Sequence, residues 1–236
     1  MDNYLAVSAQ TSLKRTVLPF VLSHLVTDGY AMIRLEDSFA HEHDMLIISA
    51  LIGQSLAAHM SYKILEAESE RAVLPAHTEG ISYSSGIIPY FGLGAITAPK
   101  EGGETRIFDA RIAACKLLAE HPSLAGVTIA YESLANPGEH AKYPLVVESV
   151  HGKVLRYRGE VITNVICEAQ GRTAKEIYQI VDHILSESVL LEHHWNVGDM
   201  LFVNNTMTLH DRLPFEGKRR MLRVRFGDQL NQKVHY

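Results

Sequence analysis

The chain has 236 residues, a formal net charge of −5 and 47% hydrophobic residues. This length suits one domain with a sizeable core, and an acidic balance without a basic run excludes ordinary nucleic-acid binding. No segment reaches the roughly 18 apolar residues of a membrane-spanning helix, and Met1–Lys14 lacks a signal peptide's apolar centre, so a cytoplasmic chain is expected.

In chain order, Asp28-Gly29 is a turn signal leading into a strand over Tyr30–Leu35. From about Phe39 to Glu68, Ile47, Leu51, Leu56 and Ile64 sit among good helix formers, which predicts helix with a break at Gly53. The aromatic and β-branched run Tyr90–Ala98 predicts a strand, and Gly102-Gly103 a turn before a short strand, Glu104–Phe108. Asp109 is placed to cap a helix over Ala110–Glu120, closed by His121-Pro122. Val127–Glu132 reads as a strand, and Pro144–Val150 with Lys153–Arg158 as a hairpin around His151-Gly152. Thr173 and Glu176 form a capping box ahead of the stripe Ile177, Ile180, Val181, Ile184 and Leu185. Gly198-Asp199 is a turn, and strands follow over Met200–Val203 and Arg220–Phe226. With about eight short strands and helices in the connections, the expected fold is α+β but mainly β, a double-stranded β-helix or jelly roll with flanking helices, in a single domain over 1–236.

Cys115 and Cys167 have no CxxC partner, which disfavours structural zinc, and both read as small buried hydrophobes. The stretch that carries chemistry is His77-Thr78-Glu79 with the distant His210. Two histidines and one carboxylate on one side of an octahedral metal leave the opposite side open, the donor set of non-haem Fe(II) oxygenases. On a strand, His77 and Glu79 would point to the same face. His41-Glu42-His43 mimics the pattern but falls in the expected helix, and His193-His194 reads as a helix end, where histidine suits the dipole.

Order and context sharpen this reading. His77-Thr78-Glu79, Gly102-Gly103-Glu104-Thr105, Trp195 with Gly198-Asp199, His210, and an arginine of the last core strand follow one another. The series resembles the Fe(II)/2-oxoglutarate oxygenases of the taurine dioxygenase and clavaminate synthase group, well over 75–112 and 193–228 and poorly between. The resemblance implies a dioxygenase that uses Fe(II), 2-oxoglutarate and O2 to oxidise, by hydroxylation first of all, a small polar metabolite such as an amino acid or its derivative, with no nucleic-acid or membrane partner. It places His77, Glu79 and His210 on the metal, and a glutamate at 79 resembles the clavaminate synthase branch and disfavours halogenation. Thr105 matches the threonine that binds the far carboxylate of 2-oxoglutarate.

That carboxylate also calls for an arginine. Arg219, Arg220, Arg223 and Arg225 are candidates, and Arg220 shares a phase with Leu222, Val224 and Phe226. If that phase faces the interior, Arg220 is the cosubstrate arginine, the position that matching from Gly227-Asp228 also selects. For a substrate carboxylate, Arg156, Arg158, Arg212, Arg223 and Arg225 are open alternatives. Tyr83 and Tyr90 are cleft or core residues, Trp195 is expected in the core, and Asn204-Asn205 is expected to hydrogen-bond around His210. Two rival readings stand beside this one: a cupin-like metalloenzyme that is not an oxygenase, and a jelly-roll binding protein without catalysis.

Overall fold

In the computed structural model, which describes residues 4–8, 11–36, 42–83, 86–133, 137–159, 162–166 and 172–227, the period-two burial of the strands sets the layers. Along Tyr30–Leu35, Ala31, Ile33 and Leu35 join one core cluster and Met32 joins another. Along Asp199–Asn204, Met200 and Phe202 join the first, and Leu201 and Val203 the second.

Both strands belong to a six-stranded sheet ordered Tyr4–Val7, Tyr30–Leu35, Asp199–Asn204, Tyr90–Thr97, Arg219–Phe226, Met60–Ala67. Only its first pair is parallel. Helices α1 (Leu18–Thr27) and α2 (Glu42–Ser55) cover the outer face through Val21, Leu25, Met45, Ile48 and Ile52. α2 approaches closely because position 94 is glycine; a Cβ there would stand 2.8 Å from Met45 Sδ.

The inner face meets a four-stranded sheet ordered Val189–His193, Thr105–Asp109, Thr208–Arg212, Leu74–His77. Ile107 of this sheet shares a cluster with Met32, Phe91, Leu201, Met221 and Trp195. Its far face, with Leu209 and Phe108, packs on α3 (Ala110–Glu120) and α4 (Ala174–Ser186). Asp109 caps α3 by accepting from the N–H groups of Arg111 and Ile112 at 2.7 and 3.1 Å. Thr173 and Glu176 form the capping box of α4, which buries Ile177, Val181, Ile184 and Leu185. The layers therefore run helix, sheet, sheet, helix.

Several expectations change. Helix does not run on to Glu68: α2 stops at Ser55, Ala57 takes a φ of 51°, and Met60–Ala67 is a strand. It pairs with the last strand from Met60↔Phe226 to Ala67↔Arg219, so tertiary pairing overrides local helix propensity. His193 ends a strand rather than a helix, with Nε2 2.9 Å from Asp199 Oδ2, and His194 pairs with Glu104. Cys115 is exposed, not buried, because it falls between the buried positions Ala114 and Leu117 of α3; Cys167 lies outside the described residues, as do His41 and Asp228. No helix among the described residues is long and apolar enough to cross a membrane.

Candidate metal centre and its cavity

Sheet pairing brings the two histidines together. His77 ends the strand Leu74–His77, opposite His210 in Thr208–Arg212, and the ring centroids are 4.2 Å apart. His77 Nδ1 lies 2.8 Å from the Pro75 carbonyl. A carbonyl only accepts, so Nδ1 carries a proton, and Nε2 is the nitrogen turned toward Glu79. That Nε2 is 3.5 Å from Glu79 Oε2. The candidate ligand atoms of His77, Glu79 and His210 all lie within 4.8 Å of one another, the one such group among the described residues.

Glu79 does not reach this point by strand alternation. The strand stops at His77, Thr78 N–H donates to the Tyr157 carbonyl at 2.8 Å, and a turn follows. Asn205 takes the place of a strand partner. Its Oδ1 accepts from Glu79 N–H at 2.9 Å, and its Nδ2 donates to the carbonyls of Glu79 and Ile88 at 2.9 and 2.6 Å. Arg156 braces this turn from behind, donating to the carbonyls of Asn205 and Thr206 at 3.0 and 2.9 Å. The amide of Asn205 thus holds Glu79 rather than His210, and Asn204 bonds instead to the Leu25 carbonyl. Nothing in the sequence pattern of a glutamate and an asparagine 126 positions apart announced the contact.

The electrostatics suit a cation. Burial works to raise the pKa of Glu79, but its hydrogen bond with His77 and the charges of Arg225, His77 and Arg223 outweigh it, so the carboxyl lies well below the usual range. Burial, then the neighbouring charge of His77, pushes His210 well below an ordinary histidine. His210 is therefore a neutral imidazole, and its Nδ1 is buried without a hydrogen-bond partner among the described residues. One carboxylate and two imidazoles, one of them with a buried nitrogen that lacks a partner among the described residues, fit a borderline-soft divalent ion.

A cavity of about 210 Å³ opens beside these groups. Its wall carries Thr105, Tyr83 and five arginines, Arg158, Arg212, Arg219, Arg223 and Arg225. The carboxylates there are Glu79 and Asp211, and Asp211 is engaged by Arg106 through two contacts of 3.1 Å and a third, shorter one.

Arg220 is not among these residues. It donates to Glu42 at 2.8 Å and lies 3.7 Å from Glu66. The expectation failed because Leu222, Val224 and Phe226 face α1 and α2, not the space between the sheets. The inner phase is Arg219, Met221, Arg223 and Arg225. Arg219 is 8% exposed, its guanidinium lies over the Phe215 ring at 5.6 Å, and its Nε is buried without a hydrogen-bond partner among the described residues. Burial, then the charge of Arg212, lowers its pKa to about 10. A buried cation without an acid is costly unless an anion arrives.

Thr105 faces the same cavity, and its Oγ1 accepts from Trp195 Nε1 at 3.0 Å. Its own hydroxyl proton is then available to an incoming acceptor. Trp195 lies in the core, as expected, and Tyr90 packs against the cluster under α1 and α2 while Tyr83 lines the cavity. Of the cations proposed for substrate, Arg156 is the one the cavity does not include. Glu42, of the decoy triplet, is spent on Arg220.

The family model for "Taurine catabolism dioxygenase TauD, TfdA family" matches residues 28–225. Among solved structures, a taurine dioxygenase from Burkholderia xenovorans superposes with a TM-score of 0.69 at 15% identity, covering 95% of this chain and 88% of that one. PvcB from Pseudomonas aeruginosa superposes at 0.72 and 13% identity, covering 95% and 86%. A structure of PvcB as an Fe, α-ketoglutarate-dependent oxygenase from an isonitrile synthetic pathway gives the same TM-score of 0.72. No curated protein matches the sequence.

Proposed function

Because the chain belongs to the TauD/TfdA dioxygenase family, we propose that it is an Fe(II)- and 2-oxoglutarate-dependent dioxygenase that hydroxylates a small acidic metabolite, amino acid-like in size. One observation carries this reading: the candidate ligand atoms of His77, Glu79 and His210 converge within 4.8 Å at the edge of a cavity that also holds the buried guanidinium of Arg219, whose Nε has no hydrogen-bond partner among the described residues. In the same reading, the two facing sheets are the halves of a double-stranded β-helix. The cluster between them draws on residues from Met32 to Met221, which supports one domain over the whole chain.

His77, Glu79 and His210 would hold the iron, which when bound supplies the oxidation of an unactivated C–H bond at the expense of 2-oxoglutarate and O2. The protein's part is position and charge. Arg219 presents a planar fork to the far carboxylate of the cosubstrate, and Thr105 adds a hydroxyl oriented by Trp195. These two residues sit on facing sheets, so the carboxylate would tie the sheets together at one end of the cavity. Leu65, Leu74 and Leu93 put apolar surface beside the charged groups, and exclusion of water there strengthens each ionic contact.

The acid in the substrate follows from charge. Once Glu79 and the cosubstrate are set against Arg225 and Arg219, Arg212 and Arg223 still line the cavity with positive charge. Burial is the first cause of the lowered pKa of Arg223, followed by the charge of Arg225, so an anion there would be bound firmly.

The test is an anaerobic titration of the protein with Fe(II) and then 2-oxoglutarate. A visible metal-to-ligand charge-transfer band is expected, and acidic metabolites that bind should perturb it. Absence of the band with intact, folded protein, or activity with zinc in the absence of O2, would end this reading.

A further inference from the structure

We propose that Arg225 is a positioning residue that commits Glu79 to a single metal-facing oxygen, Oε2; the inference rests on the iron-site reading above. The two oxygens of Glu79 have different surroundings. Oε2 faces His77 Nε2 at 3.5 Å. Oε1 is bonded by Arg225 Nη2 and approached by Arg223 Nη1 at 3.7 Å. Arg225 is itself anchored: the same Nη2 lies 3.2 Å from the Tyr83 hydroxyl, and the guanidinium stands over the Tyr83 ring at 5.4 Å. The Arg225 side chain is 14% exposed and that of Glu79 6%, so solvent does little to loosen the pair.

The need for such a device comes from the glutamate. Its carboxylate stands one methylene farther from the backbone than an aspartate's, with one more rotatable bond, and its two oxygens are equivalent until something distinguishes them. A carboxylate that closed on the ion with both oxygens would take an additional position of the six. Two histidines, one carboxylate oxygen and a two-oxygen chelate from 2-oxoglutarate use five and leave one open. A guanidinium on Oε1 preserves that count, because an oxygen engaged by a charge-assisted hydrogen bond is a poor second ligand. Asn205 holds the Glu79 backbone from the opposite direction, so residue 79 is fixed at both ends. Arg225 is thereby withdrawn from binding substrate, and that duty falls to the rest of the arginine wall.

Crystals of the whole chain loaded with Mn(II) and 2-oxoglutarate test this directly, with Arg225→Met and Arg225→Lys alongside. The wild type is expected to show Oε2 alone on the metal with Arg225 still on Oε1, Arg225→Met to show both oxygens on the metal, and Arg225→Lys to retain one. In solution, Arg225→Met should need about tenfold more 2-oxoglutarate to develop the Fe(II) charge-transfer band, equivalent to about 1.4 kcal/mol. A loaded wild type with Arg225 swung off Glu79, or Arg225→Met with one oxygen on the metal and an unchanged titration, would overturn the proposal. Should Arg225→Met fail to fold, Tyr83→Phe deletes only the anchoring hydroxyl; a shift toward two-oxygen coordination supports the proposal, and unaltered coordination and titration refute it. A folded wild type that takes up no metal between His77 and His210 sinks the iron reading itself, an outcome distinct from a loaded site that ignores Arg225.

Discussion

His77 stands directly opposite His210 across an antiparallel strand pair, so one register fixes the separation of two candidate ligands. No loop closure is needed to bring them together, and a slip of one residue would turn one ring to the opposite face. Replacing either histidine by alanine should abolish metal uptake and iron-dependent consumption of 2-oxoglutarate. Mn(II) binding followed by electron paramagnetic resonance reads the first effect independently of turnover. Stoichiometric, tight metal in either variant would show that the ligands are elsewhere.

Arg219 and Arg220 are adjacent in sequence and opposite in orientation, which makes them a matched pair for mutation. Arg219→Ala removes the buried cation proposed to meet the cosubstrate, and losing such a contact costs about 2–5 kcal/mol. The 2-oxoglutarate concentration for half-development of the charge-transfer band should rise roughly thirtyfold or more. Arg220→Ala breaks only a part-exposed pair with Glu42 and Glu66, worth about 0–1 kcal/mol, and should leave the titration unchanged within about twofold. The reverse ranking would restore the cosubstrate role to Arg220.

Asn205→Ala leaves the buried N–H of Glu79 and the C=O of Ile88 without the Asn205 amide, and leaves the Glu79 C=O with the Ile88 N–H at 3.4 Å. Each unpaired buried group costs about 1–3 kcal/mol. A lower melting temperature and weaker Mn(II) binding are both expected. Asn205→Asp keeps an acceptor for Glu79 N–H but loses both donated bonds, so it should rescue neither property fully. Alanine at 205 with wild-type metal affinity would free Glu79 from this constraint.

Asp199 supplies a pH prediction away from the metal. Its burial works to raise the pKa, but hydrogen bonds from His193, Arg34 and the Asn196 N–H outweigh it and hold the carboxyl at about 2 instead of 3.8. The folded-state pKa is the lower one, so this stabilisation is complete above about pH 4 and drains away as the pH falls toward about 2. The shift corresponds to about 2 kcal/mol. Asp199→Asn should be less stable at pH 7 and show a flatter dependence on acid, measured by thermal unfolding between pH 7 and 3. Parallel curves for the two proteins would remove Asp199 from the acid transition.

Local signals carried far in this chain. The capping box at Thr173 and Glu176 and the stripe it precedes announced α4, with Ile177, Val181, Ile184 and Leu185 buried and Ile180 partly so, because caps and 3.6-residue periodicity act within a few positions. The same holds for Asp109 ahead of α3. Met60–Ala67 was illegible for the opposite reason: it is a strand only because the last strand lies beside it. The Asn205 amide was assigned to the wrong ligand since the choice between His210 and Glu79 depends on where a turn passes in space.

By itself the sequence determined the donor types at positions 77, 79 and 210, the strand period of the final segment, and the presence of an arginine in each of its phases. It could not supply the sign of that alternation. A strand's chemistry tells which residues share a face, but which face is inside depends on what covers it. Here two helices take the apolar side formed by Leu222, Val224 and Phe226, and the polar phase is left to the cavity. Tertiary packing alone therefore chose Arg219 over Arg220, and set the guanidinium of Arg225 against Glu79.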